Sequence, residues 1–249
     1  MRYSGSKARI AKDILPIITK NLTSDKLYIE PFVGGCNTFG FVDHPNKIGI
    51  DVNGYVISMW EHFKNGGQPP KEVSKELYQL LCDIANGTDM RLCLRYGWLI
   101  GYVLNSCSYG SAWMNGYAKA NEKRGENHVL EAYNNMMSHI KNFKWLNESK
   151  FITGSYETAE FVLHGKNAVI YCDPPYQNTK GYVNDFDNDM FWEWVRKMSV
   201  KGHEVYVSEY SAPSDFKCIW QKTLKDGMPK KQFGDKQKDK IEKLFIYNG

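Results

Sequence analysis

The sequence predicts an α/β protein whose doubly wound, mostly parallel sheet is interrupted by a stretch of helices. Three observations carry this prediction. Over the first sixty residues, short apolar strand runs ("KLYIE", "KIGID") alternate with helical runs. From about Phe63 to Phe143 strand alternation disappears and only helical segments and loops remain. At "KFITG" the α/β rhythm resumes and continues to the last residues.

Each element has its own reason. "KARIAKDILPIITKNL" places Ile10, Ile14, Ile17 and Ile18 on one helical face, with Pro16 the expected kink. "KLYIE" opens into the Gly-rich turn "PFVGG", after which a helix is expected before "KIGID". Asp51 ends that second strand, and "NGYVISMWEHF" follows as a helix. Within the middle stretch "EVSKELYQLLCDIA", "RLCLRYGWLIGYVLN" and "HVLEAYNNMMSHIKNF" read as helices. Between the last two lies "SCSYGSAWMNGYAKANEKRGEN", a loop rich in Gly, Asn, aromatic and basic residues. "AVIYC" and "HEVYVSEY" are strands flanking the helix "DMFWEWVRKMS", and "CIWQKTL" and "EKLFIYNG" close the chain as strands. The division this implies is one α/β domain, 1–60 and 145–249, with a helical insert at 61–144.

The bulk numbers are those of a globular chain: 249 residues, 42% apolar, 24% charged, net charge +4. The surplus is local. Nine lysines and four acids between Lys217 and Lys243 put +5 there, which fits either a solvated loop or contacts to phosphate. Six cysteines form no CxxC pair and no zinc spacing, so no metal is expected and the thiols are expected free, in a reducing compartment. Neither an apolar leader nor a run of roughly 18 apolar residues is present, so no membrane partner and a cytoplasmic location are expected.

In an open parallel sheet, ligands bind beyond the carboxyl ends of the strands. Three segments fall there: Glu30 to Gly35, Asp51, and Asp173-Pro174-Pro175-Tyr176. A Gly-Gly turn can be merely a turn, and an acid ending a strand can be a helix cap. The four-residue DPPY is more specific. With Pro at about 5% of residues, a chance match in a chain this long is on the order of one in a thousand. Glycines let backbone approach a nucleoside, and a carboxylate sixteen residues past Gly35 stands where such folds hold ribose hydroxyls. "EPFVGG" is not GxGxxG and offers no phosphate cradle, which favours a nucleoside without pyrophosphate, such as S-adenosylmethionine.

"DPPY", with "YIEPFVGG" and "IDVN" ahead of it, resembles the DNA adenine methylase (Dam-type, D12 class) family of N6-adenine DNA methyltransferases. "YSGSK" is similar to that family's N-terminal Y/W-x-G-G-K signature, and "EKLFIYN" to its last strand. The resemblance covers about residues 1 to 60 and 150 to 249, and implies a Rossmann-like S-adenosylmethionine-dependent methyltransferase sheet. It implies that adenine is flipped from the duplex and that Asp173 and the Pro174 carbonyl each accept one amine hydrogen. Pro175 completes the motif, and Tyr176 stacks on the base. No metal takes part. For S-adenosylmethionine it implies Tyr3 and Lys7 at the methionine end, with Lys7 suited to the carboxylate. Phe32, Val33, Gly34 and Gly35 wrap the other side, Asp51 holds the ribose, and Ser155 and Tyr156 lie by the adenine ring. As part of the DPPY motif, Asp173 also borders the cofactor.

The insert matches the family in position and length but poorly in sequence. It is expected to read double-stranded DNA through Tyr109, Trp113 and Asn115. "YGSAWMNGY" departs from the family's aromatic-Asn-Gly-Leu-x-Arg element, with no arginine at the expected spacing, so a GATC target is not implied. Ser6 also departs, standing where Gly is usual, and Cys36 follows the Gly pair where Gly, Ala or Ser is common. The expectation is a monomer in solution, in a bacterial or phage-infected cell. Two alternatives are methylation of adenine in RNA and a catalytically inactive DNA-binding relative.

Overall fold

The computed structural model describes residues 1, 3, 5–118, 126–175, 186–224 and 240–249. Tyr176, part of the loop after Tyr117, and most of the lysine-rich stretch lie outside them. The strands are β1 (Leu27–Glu30), β2 (Lys47–Asp51), β3 (Lys150–Thr153), β4 (Ala168–Cys172), β5 (Glu204–Glu209), β6 (Phe216–Leu224) and β7 (Lys240–Tyr247). They form one sheet in the order β3-β2-β1-β4-β5-β7-β6. The first five are parallel, while β7 runs antiparallel to both β5 and β6. The order reverses between β1, whose chain continues to β2 on one side, and β4 on the other. That reversal is where ligands bind in open α/β sheets.

Helices cover both faces. They are α1 (Ala11–Ile18), α2 (Gly54–Lys64), α3 (Lys75–Asn86), α4 (Met90–Ser106), α5 (His128–Asn142), α6 (Thr158–Val162) and α7 (Asn188–Val200). The period-2 alternation of β4 explains how both layers are served. Val169 and Tyr171 join the core containing Ile14, Trp60 and Met136, while Ala168, Ile170 and Cys172 join that of Ala159, Phe191 and Val195. Full burial of side chains such as Val169 and Ile170 contributes about 1.5–3 kcal/mol each. The result is one sheet between two helical layers, the α/β architecture expected from the sequence.

Two features differ from expectation. The helix expected between β1 and β2 is only a 3₁₀ turn, Phe39–Phe41. Helix α5 supplies the cover there: a Cβ on Gly40 would lie 3.1 Å from the Phe143 ring, and Lys144 N–H donates to the Gly40 carbonyl at 2.7 Å. The short helix α6, by contrast, was not expected at all. Helix α4 lies against α2 so closely that a Cβ on Gly101 would come within 2.1 Å of the Tyr55 carbonyl oxygen. Leu81, Tyr102 and Met136 from the later helices share one core with Tyr28 and Phe151 of the sheet. Among the described residues, no helix is long and apolar enough to cross a membrane.

Candidate active site

The chain leaves β1 at Glu30 and turns sharply. Gly34 takes φ +42°, in the left-handed region that disfavours a Cβ. Cys36 is also left-handed, at φ +52°. Space requires the glycines as well. Tyr3 lies across them, and a Cβ would stand 2.8 Å from its ring at Gly34 and 2.7 Å from its Cβ at Gly35. The N-terminal segment and the glycine turn, separate signals in the sequence, are therefore in contact.

Asp51 fastens this turn to β2. One carboxylate oxygen accepts from Gly34 N–H at 2.9 Å and the other from Asn53 N–H at 2.9 Å. Burial raises its pKa, and the two backbone donors act in the opposite direction. On the far side, Trp60 Nε1–H donates to the Gly34 carbonyl at 2.8 Å. The turn is thus held from both faces of its backbone. Asn53 then caps α2, its side-chain oxygen accepting from Tyr55 N–H at 3.0 Å. The cap reading of the acid at the strand end thus belongs to Asn53, two residues on.

Phe32 turns to the opposite side, into an aromatic group with Tyr156, Phe186 and Phe191 at centroid distances of 6.0, 5.8 and 5.7 Å. Ser155 stands beside it, its hydroxyl donating to Glu157 at 3.2 Å. Val33 is buried, with its N–H on the Ile50 carbonyl at 2.9 Å.

Asp173 and Pro174 follow β4 directly, next to the turn after β1. Lys7 Nζ stands 2.9 Å from Asp173 Oδ1. This ion pair joins residues near the two ends of the signature set, and no local sequence pattern announces it. A second unannounced group is Glu30. It is buried, accepting from Tyr28 O–H at 2.6 Å and from Thr38 O–H at 2.8 Å. Burial pushes its pKa up to about 8, with the Asp173 charge adding to the rise. Nearby Lys47 is buried too, donating to the carbonyls of Phe39 and Val42 at 2.8 and 3.0 Å, and burial brings its pKa down to about 8. The available clue was an acid ending an otherwise apolar strand.

In the insert, Tyr109 and Asn115 share one tight loop closed by the Ser108–Tyr117 bridge. Tyr109 N–H donates to the Gly116 carbonyl at 2.8 Å, and the Asn115 amide donates to the Tyr109 carbonyl at 3.1 Å. Tyr109 is 69% exposed. Trp113 is different: it stacks on Tyr55 of α2 at 5.9 Å and 16°, which anchors the loop.

The glycine turn and the Asp173-Pro174-Pro175 segment thus follow neighbouring strands at the reversal of the sheet. Residues 3–222 match the model of the D12 class N6 adenine-specific DNA methyltransferase family. The chain belongs to this family. Among individual relatives, it is 27% identical over 214 residues to the modification methylase StsI of Streptococcus sanguinis, covering 81% of this chain and 32% of that protein. It is 22% identical over 220 residues to the retron Ec67 DNA adenine methylase of Escherichia coli, covering 84% of this chain and 75% of the relative. A DNA adenine methylase of Vibrio cholerae is 24% identical over 190 residues, 71% of this chain and 64% of that one. The chain thus spans about a third of StsI and larger shares of the other two. Membership in the D12 class implies a methyl donor. No group of three or more His, Cys, Asp or Glu among the described residues could hold a metal ion.

Proposed function

We propose that this chain transfers a methyl group from S-adenosylmethionine to the exocyclic amine of adenine in duplex DNA. The observation that carries the reading is the placement of the Gly34-Gly35 turn and the Asp173-Pro174 segment directly after neighbouring strands at the reversal of the sheet.

The residues present fit the cofactor. An ionised carboxylate has about four acceptor positions, and two backbone donors leave Asp51 with capacity for ribose hydroxyls. Gly34 and Gly35 keep the turn free of side-chain bulk beside Tyr3. Phe32 and Tyr156 present an aromatic surface with the Ser155 hydroxyl beside it, suited to a purine. When bound, S-adenosylmethionine supplies an electrophilic methyl group. The chain's own contribution is to make a poor nucleophile attack. Adenine's amine lone pair is delocalised into the ring, so Asp173 accepts one amine hydrogen and the Pro174 carbonyl the other. Two acceptors draw the nitrogen toward tetrahedral geometry, and the proline ring fixes φ and steadies its own carbonyl. Pro175 continues the turn, and Tyr176 is the aromatic that stacks on the flipped base, offsetting about 1–3 kcal/mol of lost stacking. The insert (61–144) reads sequence through the loop that carries Tyr109, Trp113 and Asn115, with Trp113 stacked on Tyr55 of α2.

The direct test supplies duplex DNA, structured RNA and labelled S-adenosylmethionine, then digests and identifies the methylated nucleoside. N6-methyladenine is expected from DNA. Label appearing on RNA alone, or none on either, defeats the proposal. Tyr109→Ala in the same assay should change which duplex sequences accept label.

Asp51 carries a separate expectation. Asp51→Ala removes an acceptor worth about 1.5–3 kcal/mol, so S-adenosylmethionine affinity should fall about tenfold to a hundredfold. DNA affinity without cofactor should change less. A calorimetric titration showing parental cofactor affinity would remove Asp51 from the site.

A further inference from the structure

Lys7 stands beside a partner that its signature does not suggest. The family pattern suits it to the cofactor's carboxylate, yet its ammonium is engaged with the chain's own acid. Besides lying 2.9 Å from Asp173 Oδ1, Nζ donates to the Gly5 carbonyl at 3.2 Å and stands 3.9 Å from Glu242 Oε2 on β7. The Lys7 side chain is 7% exposed and that of Asp173 23%, so solvent screens this pair less than a surface ion pair. Its backbone is fastened as well. Ser6 caps the 3₁₀ turn Lys7–Arg9, its hydroxyl accepting from Ala8 N–H at 3.2 Å, and Ile10 N–H donates to the Lys7 carbonyl at 2.9 Å.

We propose that Lys7 is a positioning residue for Asp173: it holds Oδ1 so that the carboxylate stays ionised and turned toward the incoming amine. The inference rests on the function proposed above. Only an ionised carboxylate is purely an acceptor; once protonated it becomes partly a donor, which cannot receive an amine hydrogen at that oxygen. The neighbouring titratable groups are Glu242 from β7, 3.9 Å from the same ammonium, and three that burial keeps neutral near pH 7: Glu30 from β1 and Tyr171 and Cys172 of β4. An ammonium in contact favours the ionised form of Asp173 and also selects one orientation of a side chain that could otherwise rotate.

The test compares Lys7→Met, nearly the same shape without charge, and Lys7→Arg, which keeps the charge. With saturating cofactor and DNA, single-turnover methylation by Lys7→Met should fall about tenfold to a hundredfold, the loss of one charge-assisted hydrogen bond. Calorimetric affinity for S-adenosylmethionine should change less than threefold, and Lys7→Arg should recover part of the rate. Independently of activity, carbon NMR of the Asp173 carboxyl, assigned against Asp173→Asn, should show it taking up a proton at higher pH in Lys7→Met than in the parent. A loss confined to cofactor affinity, with the single-turnover rate and the carboxyl titration unchanged, overturns the inference and returns Lys7 to the cofactor. An increased single-turnover rate overturns it too. If the parent itself methylates no DNA, the function reading fails, while the carboxyl titration still decides the role of Lys7.

Discussion

Asp173→Ala is expected to abolish adenine methylation while leaving the protein folded. Removing a single preorganised polar group at a reacting centre lowers rates by about 10²–10³-fold. Here the same group also aims the nucleophile, and a misplaced nucleophile loses most of its proximity advantage. The rate should therefore fall by at least about a hundredfold, toward background. Stability should change little by comparison. Lys7 keeps its donation to the Gly5 carbonyl and its approach to Glu242, so its charge is not stranded. Asp173→Asn should lie between, because the amide keeps one acceptor oxygen but neither the charge nor the ion pair with Lys7. Radiolabel transfer to duplex DNA, paired with thermal unfolding of each variant, measures both quantities. A parental rate from a folded Asp173→Ala protein would sink the mechanism.

Much of this site was legible because its parts are local patterns. "AVIYC" followed by "DPPY" announces a buried strand and a rigid turn in nine contiguous residues, and the structure puts Asp173 at the end of β4. The glycine turn and Asp51 announce themselves in the same way. What was hidden depends on distance or on competition for space. Lys7 and Asp173 meet only because the N-terminal turn folds back over the strand ends, which no periodicity encodes. The helix expected before β2 gives way to a 3₁₀ turn because α5, from far along the chain, fills that side of Gly40. Trp113 looked like a recognition aromatic within "SAWMNGY". In the structure it is half-buried and also stacks on Tyr55, a tertiary contact that composition does not encode. Glu30 was visible as a letter but not as chemistry. An acid at a strand end is ordinary until its environment is known to be closed.

That environment makes Glu30 the source of a large pH effect on stability. Its pKa in the folded chain is raised from 4.5 to about 8, chiefly by burial. Between those values the folded state holds a proton that the unfolded state has released. Stability contributed by this group is therefore fully present below about pH 4.5 and is lost as pH rises toward 8. The slope of up to about 1.4 kcal/mol per pH unit sums to a few kcal/mol over the window, a large part of the roughly 5–15 kcal/mol that holds a domain folded. Lys47, lowered to about 8, works in the next window: its burial penalty is relieved as pH rises from about 8 toward 10.5. Glu30→Gln separates the two. The amide is the neutral shape of a protonated glutamate; it can still accept from Tyr28 O–H, and its NH₂ can donate to the Thr38 hydroxyl. The variant should match the parent near pH 5 and exceed it by a few kcal/mol near pH 8, in urea unfolding at a series of pH values. Other carboxylates and histidines titrate in both proteins, so the difference between them isolates Glu30. A constant difference from pH 5 to 8 would mean that Glu30 is ionised throughout, held so by Lys47 and the two hydroxyls despite its burial.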